Sequence, residues 1–367
     1  MASAHFPFIV VGGGPAGTTA AERIARDKRR VLIIEKSPAL PYRDKPCGGG
    51  LGPVTLKLFP YTRMQKVHET DTLKVTMDGE AISTKMPIVM VNREKLDNNL
   101  MERALRCGAK CHFGKTVHSI DLANKVVTID NKFTISYDRI IGAGGATCPI
   151  ARAYGVDVKH APMIVGKANG GKLNLSTDAE LHFFNDFKGY AWIFPKNKFL
   201  DVGIGGDAPM ATLYELLTAF LLERNLDLYD MDKWLLPYEP PWKTPIADEN
   251  TVICGDAAGL VNPASGEGIR YAMQSGLEAA EVALGRRPVE QYPSFGAMLG
   301  RLYLAREKIM THGIRKTFEG MQQNPAILKE TIDFFFEDKE PPVRTHTTDT
   351  SKVETYRKML EAIQEEE

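Results

Sequence analysis

Residues 7–25 read PFIVVGGGPAGTTAAERIA, and the spacing Gly12-x-Gly14-x-x-Gly17 limits what this chain can fold into more than any other stretch. The apolar FIVV before the glycines predicts a buried strand over 8–11. The run after them predicts a helix over 16–27, and VLII predicts a second strand over 31–34 that ends at Glu35. Together they make a βαβ unit of an α/β, Rossmann-like fold. Gly12 permits the tight turn, Gly14 lets the backbone approach a pyrophosphate, and Gly17 lets the helix pack close to the sheet. Pro15 and Ala16 open the helix, whose free N–H groups and positive dipole end favour phosphate. Glu35 lies 18 residues after Gly17 and is followed by Lys36. A carboxylate there accepts from both hydroxyls of an adenosine ribose and repels a 2′-phosphate, which favours FAD or NAD over NADP.

A second motif decides between these. The strand TVICG at 251–255 runs into DAAGLVNPASGEGI, and Gly255-Asp256 at the end of a strand suits a flavin. Asp256 can accept from a ribityl chain. The segment holding Gly266, Gly268 and Ile269 would open a helix beneath an isoalloxazine ring, its dipole end facing negative charge at N1–C2=O.

At 367 residues the chain exceeds one compact core. The reading is an FAD-binding part over 1–160, with a short excursion near 60–91 into a substrate domain. An antiparallel-sheet substrate domain follows over 161–245, a second FAD-binding part over 246–290, and a polar helical region with an acidic tail over 291–367. Short alternating runs such as AELHFF and FLDVGIGG carry the sheet expectation. Leu213, Leu216, Leu217, Phe220 and Leu221 fall on one helical face. That stripe reads as core; the alternative is a rim, at the mouth of a pocket, that touches lipid.

Lys plus Arg equals Asp plus Glu at 46 each, which argues against nucleic acid as the main partner. Five scattered cysteines do not make a disulfide framework. Cys107 and Cys111 lack further ligands for zinc, so no metal is expected. No leader and no run of about 18 apolar residues is visible. A cytoplasmic protein, at most peripheral to a membrane, is the expectation.

GGGPAG, KPCGGGL, GYAWIFPK and GDAAGLVNPASGEGI stand in the order seen in the geranylgeranyl reductase family. That family belongs to the para-hydroxybenzoate hydroxylase-like FAD superfamily, and the resemblance covers roughly residues 6–285. It implies FAD as cofactor and reduction of isolated C=C bonds in polyprenyl chains, with hydride from reduced FAD and a proton added to the other carbon. It also implies that Arg93 contacts FAD at the start of a helix and that the backbone of Val117 meets the adenine.

The loop KPCGGGLG is stiff at Pro46 and permissive from Gly48 to Gly50, so it can pass close to a planar ring. Cys47 is then presented beside the flavin, either as proton donor or alkene-positioning thiol, or as a small packing residue. Tyr190, Trp192 and Phe194 alternate and so face one side of a strand, as a cavity wall or as plain core. One departure stands out: Gly142-Ala143-Gly144-Gly145 replaces the Gly-Ala-Asp-Gly of related hydroxylases and many reductases. The missing acid weakens the case for NADPH as direct donor and leaves ferredoxin, a quinol or a reduced pyridine nucleotide open. Two alternatives stand beside the reductase. One is a flavin-dependent monooxygenase or halogenase, although a halogenase would read Trp-x-Trp-x-Ile-Pro where this chain has YAWIFP. The other is a flavoprotein electron carrier without a lipid substrate.

Overall fold

The computed structural model describes residues 4–42, 45, 47–169, 178–239 and 244–337. Pro46 and the acidic tail, both singled out above, lie outside the described residues.

The predicted βαβ unit forms, with strand Ala4–Val11, helix Pro15–Arg26 and strand Val31–Ile34. The two strands pair in parallel, Phe8 beside Val31 through Val11 beside Ile34. The sheet runs Lys110–His112, Val31–Ile34, Ala4–Val11, Phe133–Gly142, Val126–Ile129, Val117–Asp121. The sequence suggests separate strands over 133–136 and from 139; they are one strand, Phe133–Gly142, with three partners, of which Ala4–Val11 runs parallel along its length. Its first half pairs antiparallel with Val126–Ile129, and its last three residues pair in parallel with Thr251–Ile253. Near-continuous burial of Ile9, Val10, Leu32, Ile33, Ile140 and Ile253 reflects a parallel sheet covered on both faces.

The second sheet has eight strands, in the order Asp227–Glu239, Lys159–Asn169, Leu200–Gly206, Gly189–Pro195, Ala179–Phe183, Lys66–Met77, Glu80–Val91, Gly50–Leu51. Pairing is antiparallel except between Ala179–Phe183 and Lys66–Met77. Residues 66–91 thus supply two 12-residue strands to this sheet.

Helix Met210–Glu223 covers one face of that sheet. Leu213, Leu217 and Phe220 are 0%, 2% and 1% exposed and pack on Ile164, Val202 and Ile204. Leu213, Leu217 and Phe220 of the apolar stripe are core and not open to lipid, while Leu216 and Leu221 are half-buried beside them. The opposite face is apolar and rich in methionine, with Met77, Met86, Met90 and Met163 beside Trp192. It is roofed by helices Ile314–Gln323 and Pro325–Glu337 through Ile314, Phe318, Leu328 and Ile332. Among the described residues no helix is long and apolar enough to cross a membrane.

Candidate active site

The glycine turn is built by close approach. Gly12 has φ +109°, and a Cβ there would lie 2.3 Å from the carbonyl oxygen of Ala143. A Cβ on Gly17 would lie 2.0 Å from the Gly12 carbonyl oxygen. Gly14 differs: a Cβ there meets nothing nearer than Lys45 Nζ at 4.0 Å. It is the N-cap of Pro15–Arg26 and provides no side-chain cap, and no acid occupies the first turn. The helix therefore starts with unspent N–H groups facing open space, which suits a diphosphate. The backbone of Ala16 is pressed from behind by Gly276 of helix Ile269–Ala283.

Glu35 is 8% exposed. Its Oε2 accepts from the Gly13 amide at 2.6 Å and its Oε1 from the Ser37 amide at 2.7 Å, which leaves lone pairs on both oxygens. Tyr42 lies beside it, 3% exposed, and its hydroxyl has no hydrogen-bond partner among the described residues. Burial, and then the Glu35 charge, push that hydroxyl's pKa upward, so it remains a donor. A buried donor without a partner beside a carboxylate with spare lone pairs is a site short of one polar ligand. Lys36 is exposed. Val117 is 5% exposed in the sheet core, two residues after Lys115, whose amide bonds the Glu35 carbonyl at 2.9 Å.

A second cluster gathers around Asp97, which the sequence reading passed over. Asp97 is 1% exposed and accepts from Arg93 Nε and Nη2 at 3.1 and 3.2 Å; Lys45 Nζ lies 2.8 Å from its Oδ2. Burial disfavours its charge, but Arg93 and Lys45 outweigh it and hold the carboxyl below its usual range. The four-residue spacing of Arg93 and Asp97 on helix Arg93–Arg106 was a usable signal. Cys47 is close enough to the same guanidinium to interact with it electrostatically. Asp256 faces this group. Burial raises its pKa, and Arg93, His160 and Lys45 pull it back. Beside Asp256 opens a cavity of about 340 Å³ lined by Thr147, Cys148, Arg152 and His160. A Cβ on Gly144 would crowd Cys148, 3.1 Å from its Cα and 3.2 Å from its Sγ. The absence of an acid at 144 thus has a local steric counterpart.

The loop before helix Ile269–Ala283 is organised by Asn262, which is fully buried. Its Oδ1 accepts from the Ala264 and Ser265 amides at 3.0 and 3.1 Å, and its Nδ2 donates to the Phe335 carbonyl at 2.6 Å. Gly266, with φ +67°, sits under the Tyr190 hydroxyl, which donates to the Ser265 carbonyl. Gly268 is the N-cap of the helix and again offers no side-chain cap. Thr55 donates to Glu267 at 2.8 Å and closes the other side. Ile269 and Cys47 belong to one apolar cluster.

Tyr190, Trp192 and Phe194 share the methionine-rich face. Trp192 lies over strand Leu200–Gly206 because Gly203 opposite it has no side chain; a Cβ there would come within 2.2 Å of the ring. Its Nε1 donates to Asp201 at 2.9 Å. Both polar tips are thus occupied, and the two residues present ring surface. Gly48 lies against Phe194, 2.5 Å from where a Cβ would be, so the Cys47 loop rests on this aromatic wall.

An open diphosphate cradle, a ribose-competent carboxylate beside an orphan hydroxyl, and a second uncapped helix start facing Asp256 fit FAD along its whole length. Fold and site define an FAD-dependent oxidoreductase of the Rossmann type. The sequence pattern of the pyridine nucleotide-disulphide oxidoreductase family matches residues 6–182. A geranylgeranyl diphosphate reductase of Rhodobacter capsulatus is 31% identical over 304 residues, which are 75% of this chain and 74% of that one. The chain belongs to the geranylgeranyl reductase family. A menaquinone reductase of Mycobacterium tuberculosis is 29% identical over 78% of each chain. The crystal structure of a geranylgeranyl bacteriochlorophyll reductase-like protein from Thermoplasma acidophilum shares the fold, with TM-score 0.75 and 20% identity over 91% of this chain and all of that one.

Proposed function

We propose that this oxidoreductase saturates C=C bonds of an apolar, polyprenyl substrate. The observation that carries the reading is the methionine-rich face bearing Tyr190, Trp192 and Phe194, roofed by the C-terminal helices and continuous with the Cys47 loop. Methionine and aromatic surfaces accommodate long flexible apolar chains without demanding polar contacts. The names of relatives agree: one is a geranylgeranyl diphosphate reductase, another a digeranylgeranylglycerophospholipid reductase.

In this reading Gly12, Gly14, Pro15, Ala16 and Gly17 hold the pyrophosphate, and Glu35 takes the ribose, with Lys36 and the backbone of Val117 flanking the adenosine. Arg93 and Asp256 flank the ribityl chain, while Gly48, Gly266, Gly268 and Ile269 line the ring. FAD, when reduced, supplies the hydride. The protein holds the alkene against the wall of Tyr190 and Trp192, excludes water with its C-terminal roof, and presents the Cys47 thiol to deliver the proton. The electron donor, whether ferredoxin, a quinol or a reduced pyridine nucleotide, is a separate partner, and contact with the membrane is peripheral.

The test is anaerobic. The bound flavin is reduced, candidate polyprenyl diphosphates, quinones and lipids are added, and re-oxidation is followed with product analysis. Re-oxidation coupled to a saturated product is the expected result. Re-oxidation by oxygen with a hydroxylated or halogenated product, or by one-electron acceptors alone, overturns the reading.

A further inference from the structure

Lys196 ends the motif GYAWIFPK and has no role in the site as described so far. Its side chain is 7% exposed. The ammonium donates to the Gly48 carbonyl at 2.5 Å and to the Val91 carbonyl at 2.9 Å. These carbonyls belong to segments 43 residues apart in sequence. Gly48 follows Cys47. Val91 ends strand Glu80–Val91, after which Asn92 caps the helix that begins at Arg93. The same two segments also touch directly, the Val91 amide bonding the Gly49 carbonyl at 2.8 Å. Gly49 adopts φ +64°, and a Cβ there would lie 2.9 Å from Lys196 Nζ and 2.6 Å from the Val91 carbonyl oxygen. The ammonium thus fills the space that the glycines leave.

A buried ammonium is costly unless its protons are used. The two main-chain carbonyls that accept from it are a sharp geometric constraint. They fix the residue after Cys47 and the residue two before Arg93, and so set the Cys47 loop beside the start of the Arg93 helix. We infer that Lys196 is a positioning residue that holds the Cys47 loop against the end of strand Glu80–Val91 and keeps the thiol inside the site. It acts through the loop. It makes no bond to substrate.

The test uses the FAD-loaded protein and the variant Lys196→Met. Alkylation of Cys47 by N-ethylmaleimide is measured by peptide mass spectrometry, with Cys107, also half-buried but at the far end of the Arg93–Arg106 helix, as internal reference. The expected result is a rise of about tenfold in the Cys47-to-Cys107 rate ratio as the thiol becomes accessible, with FAD retained. Single-turnover re-oxidation by an accepted alkene is expected to slow with little change in the substrate concentration needed. Gly49→Ala disturbs the same junction with Lys196 in place and is expected to raise the ratio too, so the inference stays testable if Lys196→Met does not fold. An unchanged alkylation ratio in the folded variants overturns it. The inference rests on the proposed site but not on the substrate: the alkylation readout stands if no polyprenyl compound reacts.

Discussion

The carboxylate of Glu35 accepts the main-chain amide of Gly13 at 2.6 Å, which ties the acid at the end of the second strand to the turn it faces. Glu35 therefore does two things at once. It fixes the height of the glycine turn and keeps lone pairs for a ligand.

Glu35→Gln is expected to weaken FAD binding. A glutamine offers one acceptor oxygen for two amide donors, so either Gly13 or Ser37 would face an N–H₂ group. Loss of one charge-assisted bond costs about 1.5–3 kcal/mol, or roughly ten- to hundredfold in Kd. Titration of the flavin-free protein with FAD, read by quenching of flavin fluorescence, measures it. An unchanged Kd would place the ribose contact elsewhere.

Asp97 predicts how the fold responds to acid. Its carboxyl is held low, so the stability it contributes is complete above the unfolded value of about 3.9. That contribution is lost as pH falls through the lower native value. Asp97→Asn leaves Arg93 and Lys45 unneutralised and is expected to cost roughly 3–5 kcal/mol at neutral pH. Denaturant melts at neutral and acidic pH should converge between the two proteins as the pH drops. Parallel curves would mean that Asp97 is not ionised in the native state.

Cys47→Ala is expected to keep FAD, because the thiol is not part of the diphosphate cradle. Single-turnover re-oxidation of the reduced flavin by an alkene is expected to slow by roughly 10²–10⁴-fold, the range for loss of a positioned acid. Equal rates in the two proteins would leave the thiol with packing alone.

Asn262→Ala removes three side-chain hydrogen bonds at once, two to the loop before helix Ile269–Ala283 and one to the Phe335 carbonyl. Limited proteolysis within 313–337 is expected to speed up, and FAD is expected to bind more weakly in the same variant. The pairing matters: faster cleavage with unchanged FAD affinity would show that the helix and the loop are not coupled.

What the sequence reveals and what it hides follow one division. The turn at 12–17, Glu35 and the Gly255-Asp256 strand end belong to motifs of fixed residue type and spacing, with Glu35 a set distance along the chain from the turn it contacts, so composition and spacing disclose them. The Tyr190, Trp192 and Phe194 face is legible for the same reason, since alternation along a strand is local. Lys196, Asn262 and Lys45 act on partners 148, 73 and 52 residues away. No local pattern reports such a pairing. The C-terminal helices looked merely polar, because the residues that bury their apolar side lie in the sheet of 66–91 and 179–206, and only the fold brings the two together.

The sheet that holds the nucleotide is interrupted. Strand Thr251–Ile253 pairs with the end of Phe133–Gly142, and helix Ile269–Ala283 presses on Ala16. During synthesis the glycine turn precedes the parts that complete its compartment by some 240 residues. A nascent chain ending before residue 250 carries the fingerprint without the strand or the helix that back it. Cofactor loading is expected to wait until the substrate sheet has left the ribosome, so a truncated chain is expected to be colourless as well as inactive. On that expectation FAD is acquired late in synthesis, where a contiguous domain would bind it early.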